Sequence, residues 1–284
     1  MSDPLPVLDD LAAESEELDA LVAELNDAEW KAATPAEGWA VAHQIAHLAW
    51  TDRAALTALT DPAAFDAHLA EAAARPFTFV DEGAEAGAAQ PPAALLAGWR
   101  ADRAALDAAL RAAGPGTRVP WYGPPMSVPS MATARLMETW AHGQDVADAL
   151  GVRRESTARL RHIARLGWRT RDFAYAMNGT AAPEVPFRIE LTPPDGGALW
   201  TYGPEDAPQR VTGPALDFCL LVTRRAHRDD LAVRAEGPDA ERWLDLAQAF
   251  AGPPGTPPGG GPGGAGGPGP PPGARRRARG VAPP

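Results

Sequence analysis

Apolar residues recur at every third or fourth position along the first half of the chain, with polar residues between them. This spacing is typical of amphipathic helices, which turn one apolar face toward a core. It predicts four long helices, over about residues 5–30, 40–59, 91–113 and 130–150. A shorter helix is predicted over 61–75, where an Asp-Pro pair opens it. Four long helices of this kind predict a helix bundle over residues 1–152.

Two connections in this half carry further signals. The segment TPAEGW is a predicted turn that also offers a helix start, because Thr34 can cap, Pro35 suits the first helical position and Glu37 completes a capping box. The segment GPGTRVPWYGPPMSVPS, residues 114–130, holds five prolines and three glycines, so an irregular loop is expected there. Long loops of this kind often carry functional residues.

The pattern changes after residue 152. FRIEL (187–191) and LWTYG (199–203) alternate apolar and polar residues as strands do, and PPDGG between them predicts a hairpin. Further helices and one further strand are predicted, the helices over 155–177, 213–227 and 239–251 and the strand over 230–237. Helices mixed with antiparallel strands predict a small α+β domain over residues 153–251. The protein as a whole is expected to be mainly α.

The last part of the chain, residues 252–284, consists mostly of Gly, Pro and Arg. It lacks the glycine at every third position that collagen needs. Because it has too few apolar side chains to form a core, a disordered tail is predicted.

Composition excludes several classes of function. The formal net charge is −11, from 26 basic and 37 acidic residues, so nucleic acid is not expected as a partner, because phosphate binding needs a basic surface. No apolar run approaches the roughly 20 residues that a membrane span needs. The start of the chain lacks a signal-peptide pattern, and the single Cys219 cannot form an internal disulfide. A soluble, cytoplasmic protein is expected, in which Cys219 is a small buried hydrophobic residue.

Candidate chemistry lies in the helix predicted over 130–150. Glu138 and His142 are four residues apart there, on the face that should be buried, so both can reach one common point. On the second long helix His43 and His47 are also four apart, and His47 lies among apolar residues. Two histidines and a carboxylate suit zinc or another divalent transition metal, and three protein ligands leave a coordination position open for catalysis. The alternative is a Glu–His salt bridge beside ordinary core histidines.

Two motifs carry a resemblance to a known family. TPAEGWAVAHQIAHLAW, followed some ninety residues later by METWAHGQDVADALG, resembles the DinB/YfiT-like metal-binding four-helix bundle. It is most similar to the N-terminal domain of the mycothiol-dependent maleylpyruvate isomerase family, within which the whole pattern resembles an actinobacterial metal-binding branch. The resemblance covers about 150 residues. It implies that His47, Glu138 and His142 bind a divalent metal, zinc first among them, and that mycothiol is the thiol cosubstrate.

The predicted second domain resembles the smaller domain of that family more faintly. LLVTRR is similar to its L-x-G-R segment, with Arg225 at the matching arginine, whereas Thr223 and Arg224 depart from the pattern. The resemblance implies a catalytic role in which Arg225 binds substrate or thiol. The alternative is a solvated helix end, where a basic side chain interacts favourably with the helix dipole.

Several other residues are weaker candidates. Asp145, three residues after His142, is able to orient a metal-binding imidazole, and Asp52 is a weaker candidate of the same kind. His43 is interpreted either as a surface residue or as a residue that contacts a metal-binding side chain without binding the metal itself.

Trp121 and Tyr122 either form the wall of a pocket or anchor their loop. Three histidines have no partner at ligand spacing and are predicted at the surface, namely His68, His162 and His227.

These observations predict an enzyme with a divalent metal. A small-molecule thiol, mycothiol by resemblance, is activated there and attacks a small electrophilic substrate, which gives isomerisation or S-transfer. Arg225 is expected to steady an anionic substrate. Two alternatives stay open, a hydrolase that uses metal-activated water and a non-catalytic module that binds a small ligand.

Overall fold

The computed structural model describes residues 5–76 and 78–250, which are mainly α-helical. The helices of the first half are α1 (Leu5–Val22), α2 (Asp27–Trp30), α3 (Val41–Thr60), α4 (Pro62–Ala74), α5 (Phe79–Ala88), α6 (Pro92–Ala112) and α7 (Val128–Leu150). The four long helices are packed together, with α3 against α6 and α7 and α1 against α7 and α6. We call α1, α3, α6 and α7 the bundle.

The single helix predicted over 5–30 is wrong, because the chain leaves the helix after Val22. Asn26 opens a second, short helix, in which its Oδ1 accepts hydrogen bonds from the backbone N–H groups of Ala28 and Glu29, at 2.9 and 3.2 Å. The Glu29 carboxylate accepts in return from the Asn26 N–H at 2.8 Å, which completes a capping box. The sequence pattern did not reveal the end of the helix at Val22. Trp30, beyond that end, is still buried, so the apolar spacing continues across the break.

The helix start predicted at Thr34 is also wrong. The backbone N–H and the hydroxyl of Thr34 both donate to the carbonyl oxygen of Trp39, at 2.8 and 2.9 Å, and close a tight loop instead. Helix α3 begins at Val41, close to the predicted position. A side chain of its own first turn caps the helix, because Nδ1 of His43 accepts a hydrogen bond from the Ala40 N–H at 3.1 Å. The loop leaves the Thr34 hydroxyl oxygen beside α3, facing the side chain of Gln44.

Helix α5 was not predicted, since its two glycines are poor helix formers. They allow α5 to approach α3 closely. A Cβ atom placed on Gly87 would come within 2.6 Å of the Cβ of Ala46, and one on Gly83 within 3.1 Å of the Trp50 indole. Helix α5 therefore supports one side of α3 at the level of Trp50.

The loop over 114–130 is not wholly irregular. Two short antiparallel strands form within it, β1 (Arg118–Val119) and β2 (Met126–Ser127). Helix α7 follows directly, with Oγ of Ser127 accepting from the Ser130 N–H at 3.3 Å. It ends as predicted at Gly151, whose φ of 66° is the left-handed conformation that glycine favours.

Among the residues that the structure describes, the second half contains four α-helices and a four-stranded sheet. The helices are α8 (Leu160–Arg169), α9 (Arg171–Met177), α10 (Ala215–Val222) and α11 (Pro238–Leu246), and the strands are β3 (Phe187–Thr192), β4 (Trp200–Tyr202), β5 (Gln209–Pro214) and β6 (Arg234–Glu236). The strand order is β4-β3-β5-β6, and the predicted β3–β4 hairpin is present. Strand β5 was not predicted, and it pairs parallel to β3, so the sheet is mixed rather than antiparallel.

One apolar core runs from the bundle into the second half. Helix α8 packs against α7 and α10, and Leu136, Leu160 and Ile189 are buried in the same cluster. A predicted division into domains at residues 152 and 251 stays a prediction. The disordered tail predicted for 252–284 lies outside the described residues. Within the described ranges, no helix is long and apolar enough to cross a membrane.

Candidate metal centre

Helices α3 and α7 bring His47, Glu138 and His142 together. The Nε2 atoms of His47 and His142 lie 3.4 and 3.2 Å from the same carboxylate oxygen, Oε2 of Glu138. The two imidazole rings have centroids 4.5 Å apart, and one ligand atom from each of the three residues lies within 4.8 Å of the others. We call these three residues the triad.

The spacing within the triad fits a tetrahedral cation better than it fits hydrogen bonds alone. Charge-assisted N–H···O bonds are usually 2.7–2.9 Å long, shorter than either contact to Glu138. Two atoms that each lie about 2.1 Å from a tetrahedral zinc ion are separated by roughly 3.4 Å. The observed separations of 3.2 and 3.4 Å are close to that value. The donor set of two imidazoles and one carboxylate is also one that zinc accepts.

A buried hydrogen-bond chain fixes the tautomer of His142. The Thr34 hydroxyl donates to the Trp39 carbonyl, so its oxygen can accept a hydrogen bond from Nε2 of Gln44, which lies 2.8 Å away. That leaves Oε1 of Gln44 to accept from Nδ1 of His142, at 2.5 Å. With its proton on Nδ1, a neutral His142 presents the lone pair of Nε2 to the triad, and hydrogen-bond partners of metal-binding histidines commonly fix the tautomer in this way.

Burial and the neighbouring charges set the protonation of the triad. Burial, with a smaller contribution from the nearby His47, lowers the pKa of His142 to about 3. Burial also opposes ionisation of Glu138, but the contacts of its carboxylate with His142 and His47 outweigh burial and hold the pKa of this carboxyl well below its usual value. At neutral pH the triad therefore contains an ionised carboxylate and a neutral imidazole at His142, which is the state that binds metal.

Two tryptophans flank the triad. The Trp39 ring lies 5.4 Å from the His47 ring and is stacked 6.0 Å from the His142 ring, while the Trp50 ring lies 6.2 Å from His47 on the same helix. The side chain of Glu138 is 23% exposed, against 11% for His47. The triad is thus walled by aromatic rings and open to solvent mainly at its carboxylate.

Arg225, predicted as the catalytic arginine, makes an ion pair beside the triad. Its Nε and Nη2 donate to the two carboxylate oxygens of Asp145, at 3.2 and 2.7 Å, and its Nη1 donates to the Thr223 carbonyl at 2.7 Å. Asp145 is only 3% exposed, and its Oδ2 lies 3.9 Å from Nδ1 of His142, too far for a direct hydrogen bond. Arg225 is therefore separated from His142 by Asp145, and its guanidinium binds that carboxylate with two hydrogen bonds.

The other weak candidates have structural partners. Asp52 pairs with the buried Arg135 at 2.8 Å, and His43 lies 2.8 Å from Glu85 of α5. Cys219 is fully buried as predicted, its thiol lies 3.5 Å from the Leu160 carbonyl, and burial raises the pKa of that thiol.

The surface positions predicted for His68, His162 and His227 are not what the structure shows, since all three are half-buried and each has a polar partner. His68 is half-buried, and its Nε2 forms a hydrogen bond with the hydroxyl of Tyr122. His162 lies 2.7 Å from Asp10 of α1. His227 is half-buried as well, and its Nδ1 accepts from the Asp229 N–H at 3.2 Å. Sequence spacing misses these contacts because each partner of His68 and His162 lies far away along the chain.

Comparison with known proteins supports a relationship along most of the chain. The family described as "Mycothiol maleylpyruvate isomerase N-terminal domain" matches residues 11–147, and the family described as "Wyosine base formation" matches residues 183–236. Two uncharacterized proteins of Mycobacterium tuberculosis, from the strains CDC 1551 and H37Rv, are each 58% identical over 255 residues, covering 90% of this chain and 99% of theirs.

Solved structures agree at the level of the fold. A structure of the mycothiol-dependent maleylpyruvate isomerase aligns with a TM-score of 0.58 at 18% identity, and a histidine-to-alanine mutant of it aligns with a TM-score of 0.57 at 17% identity. Both alignments cover 84% of this chain and 96% of the other. The mainly α, DinB-like fold predicted from the sequence is confirmed. The chain belongs to the DinB-like, mycothiol-dependent maleylpyruvate isomerase-like family.

Proposed function

We propose that this protein binds a divalent cation, preferentially Zn²⁺, through His47, Glu138 and His142, and uses it to activate a small-molecule thiol. The thiol is mycothiol, and it attacks a small electrophilic substrate in an isomerisation or an S-transfer. The observation that carries the proposal is the convergence of two imidazole nitrogens on one carboxylate oxygen, at 3.4 and 3.2 Å. Family membership supports mycothiol as the cosubstrate.

The cation, when bound, would lower the pKa of a thiol at its open coordination position, so that thiolate forms at neutral pH. The protein's own residues prepare that position. The Gln44 carbonyl oxygen holds the His142 proton on Nδ1 and so keeps Nε2 free to coordinate. The rings of Trp39 and Trp50 restrict water on two sides, and the exposed side of Glu138 leaves an approach for thiol and substrate.

Arg225 acts in this proposal as a positioning residue. Its guanidinium neutralises Asp145, which would otherwise be a buried carboxylate next to His142. Because the arginine follows α10 and the aspartate lies on α7, the ion pair also fixes the second half of the chain against the bundle. Steadying an anionic substrate, the role implied by family resemblance, would require Arg225 to share donors already used by Asp145 and Thr223.

The proposed setting is the cytoplasm, where small-molecule thiols are kept reduced. We also propose that residues 1–152 and 153–251 are the two domains of the protein, with the metal in the first and Arg225 contributed by the second. The ion pair between Arg225 and Asp145 crosses that division.

Titration of mycothiol into zinc-loaded and metal-free protein tests the proposal. We expect binding, followed by calorimetry, to the zinc-loaded protein alone, and weak or absent binding to zinc-treated Glu138→Gln. Asp148→Asn is the matched control, since Asp148 is an exposed acid on the same helix. Equal binding with and without zinc would contradict thiol activation at the triad.

Mass spectrometry separates thiol transfer from the alternatives. The zinc-loaded protein is incubated with mycothiol and a panel of electrophiles and esters. Thiol adducts or isomerised products formed faster than in the buffer control support the proposal. Ester cleavage without any need for thiol would instead favour metal-activated water, and no turnover with intact ligand binding would favour a non-catalytic module.

A further inference from the structure

A partly exposed aromatic cluster lies next to the triad, and it includes a histidine and a tyrosine that are hydrogen-bonded to each other. Trp50 connects the two regions, because its ring lies 6.2 Å from that of His47 and 5.6 Å from that of His68. The Tyr122 ring is stacked on Trp50 at 6.4 Å. The other members are Phe65, Phe79 and Trp121. We call these six residues, with Trp50, His68 and Tyr122 included, the aromatic wall.

The aromatic wall is assembled from four separate segments. Trp50 belongs to α3, Phe65 and His68 to α4, Phe79 to α5, and Tyr122 to the loop before α7. Gly83 of α5 allows the Trp50 indole to lie flat against that helix, since a Cβ there would be 3.1 Å away. The indole is therefore supported from behind while remaining partly accessible. Such fixed rings bind a planar group with little loss of side-chain entropy.

Four side chains of the aromatic wall are partly accessible to solvent. The side chain of Tyr122 is among the large residues left exposed, at 38%, and Trp50, His68 and Trp121 are half-buried. The Glu138 side chain, at the open side of the triad, is 23% exposed. The triad and the aromatic wall are thus both partly accessible, and the Trp50 ring joins them at 6.2 Å from the His47 ring.

The polar tip of the wall is uncharged at neutral pH. Burial lowers the pKa of His68, and burial raises the pKa of Tyr122. The pair therefore consists of a neutral imidazole and a neutral phenol joined by one hydrogen bond. A neutral pair of this kind offers a donor and an acceptor to a hydroxyl or carbonyl group, whereas it offers no countercharge to an anion.

We propose that the aromatic wall is the specificity subsite of this protein, and that it selects a planar, aryl-bearing electrophile whose far end carries an uncharged hydroxyl or carbonyl group. The inference rests on the proposed function, because it places the reacting end of the substrate at the triad. The aryl group packs against the partly exposed rings of Trp50 and Tyr122, and the Tyr122–His68 pair forms a hydrogen bond with the far-end group. Both are positioning residues and take no part in the bond that the thiol forms.

Three matched enones test the inference on the full-length, zinc-loaded protein. They are 3-penten-2-one, its phenyl analogue 4-phenyl-3-buten-2-one, and the 4-hydroxyphenyl form of that analogue. Affinities are measured without thiol, by calorimetry or saturation-transfer NMR. We expect the phenyl compound to bind roughly tenfold more tightly than the methyl compound, and the hydroxyphenyl compound roughly threefold to tenfold more tightly again.

The variants assign each gain to one part of the wall. Tyr122→Phe should abolish the gain from the hydroxyl group and leave the affinity for the phenyl compound unchanged. Trp50→Leu should abolish the gain from the phenyl ring. Tyr202→Phe is the control, because Tyr202 lies on β4 and forms a hydrogen bond with the Arg161 carbonyl away from the bundle. Equal affinities for the methyl and phenyl compounds, or a hydroxyl gain that survives in Tyr122→Phe, would overturn the inference.

Zinc content and mycothiol binding are measured on the same samples. If zinc and mycothiol bind but the enones do not discriminate, the aromatic wall is not a specificity subsite and the proposed function stands. If zinc or mycothiol does not bind, the proposed function fails, and the inference fails with it, because the reacting end of the substrate then has no site at the triad.

Discussion

The hydrogen-bond chain from Thr34 through Gln44 to His142 allows a test that does not touch the triad. Gln44→Met keeps the size of a fully buried side chain but removes both its donor and its acceptor. Nδ1 of His142 then loses its partner at 2.5 Å, and the imidazole is free to rotate or change tautomer. Loss of such an orienting partner typically weakens metal affinity 10- to 100-fold, which is about 1.4–2.8 kcal/mol.

The same substitution should also lower the free energy of unfolding. The hydroxyl oxygen of Thr34 and Nδ1–H of His142 would both be left buried without their partner in Gln44, at a cost of about 1–3 kcal/mol each. Urea denaturation of the metal-free protein measures this loss. Gln144→Met is the matched control, because Gln144 lies on α7 and only donates to the exposed Asp148, at 2.8 Å.

Zinc affinity is measured by competition with a chromophoric chelator at fixed pH. Gln44→Glu separates orientation from packing, since a carboxylate still accepts from Nδ1 of His142 but cannot donate to Thr34. We expect Gln44→Glu to retain zinc affinity while losing stability, and Gln44→Met to lose both. A folded Gln44→Met protein with native zinc affinity would refute the reasoning about the tautomer.

Three further outcomes follow from the contacts described above. Arg225→Ala should destabilise the protein by about 3 kcal/mol in urea, because Asp145 is left buried and unpaired, and adding Asp145→Asn should restore part of that loss. As the pH falls from 6.5 to 3, the metal-free protein should lose up to about 1.4 kcal/mol of unfolding free energy per pH unit. The reason is that His142, whose pKa is lowered to about 3 in the folded protein, takes up a proton only on unfolding. An unfolding free energy that stays constant from pH 5 to 7 would contradict this. Gly87→Ala should cost about 1–3 kcal/mol of unfolding free energy through its contact with Ala46, whereas Gly98→Ala on α6, with open space around it, should be neutral or stabilising.

Periodicity predicted the long helices well because each buries one continuous face. The starts of α3 and α6 and the end of α7 at Gly151 lie within about two residues of the predicted positions. The same signal failed at Asn26, where the apolar spacing runs through a real break. It also missed β5, whose six residues include three that are polar or charged and end in proline. Pairing with β3, a tertiary contact, is what makes this segment a strand.

The triad was predictable in part because its members obey local rules. Glu138 and His142 are neighbours on one helix, and His47 lies among apolar residues of another, so all three were candidates before family resemblance indicated the same set. The hydrogen-bond partners behind the triad were not predictable. Gln44 and Thr34 carry no local signal for orienting a histidine, and His142 lies 98 residues from Gln44 along the chain. The partnership of His68 and Tyr122 spans 54 residues and likewise requires the fold.

The amount of zinc bound per chain tests the central claim most directly. Elemental analysis is applied to the native protein, to Glu138→Gln and to Asp148→Asn, each purified in the same way after exposure to excess zinc and removal of the free ion. We predict close to one zinc per chain in the native protein and in Asp148→Asn, and a large loss in Glu138→Gln, which lacks the charged oxygen on which both imidazoles converge. A folded Glu138→Gln protein with full zinc content, or a native protein that retains none, would contradict the claim.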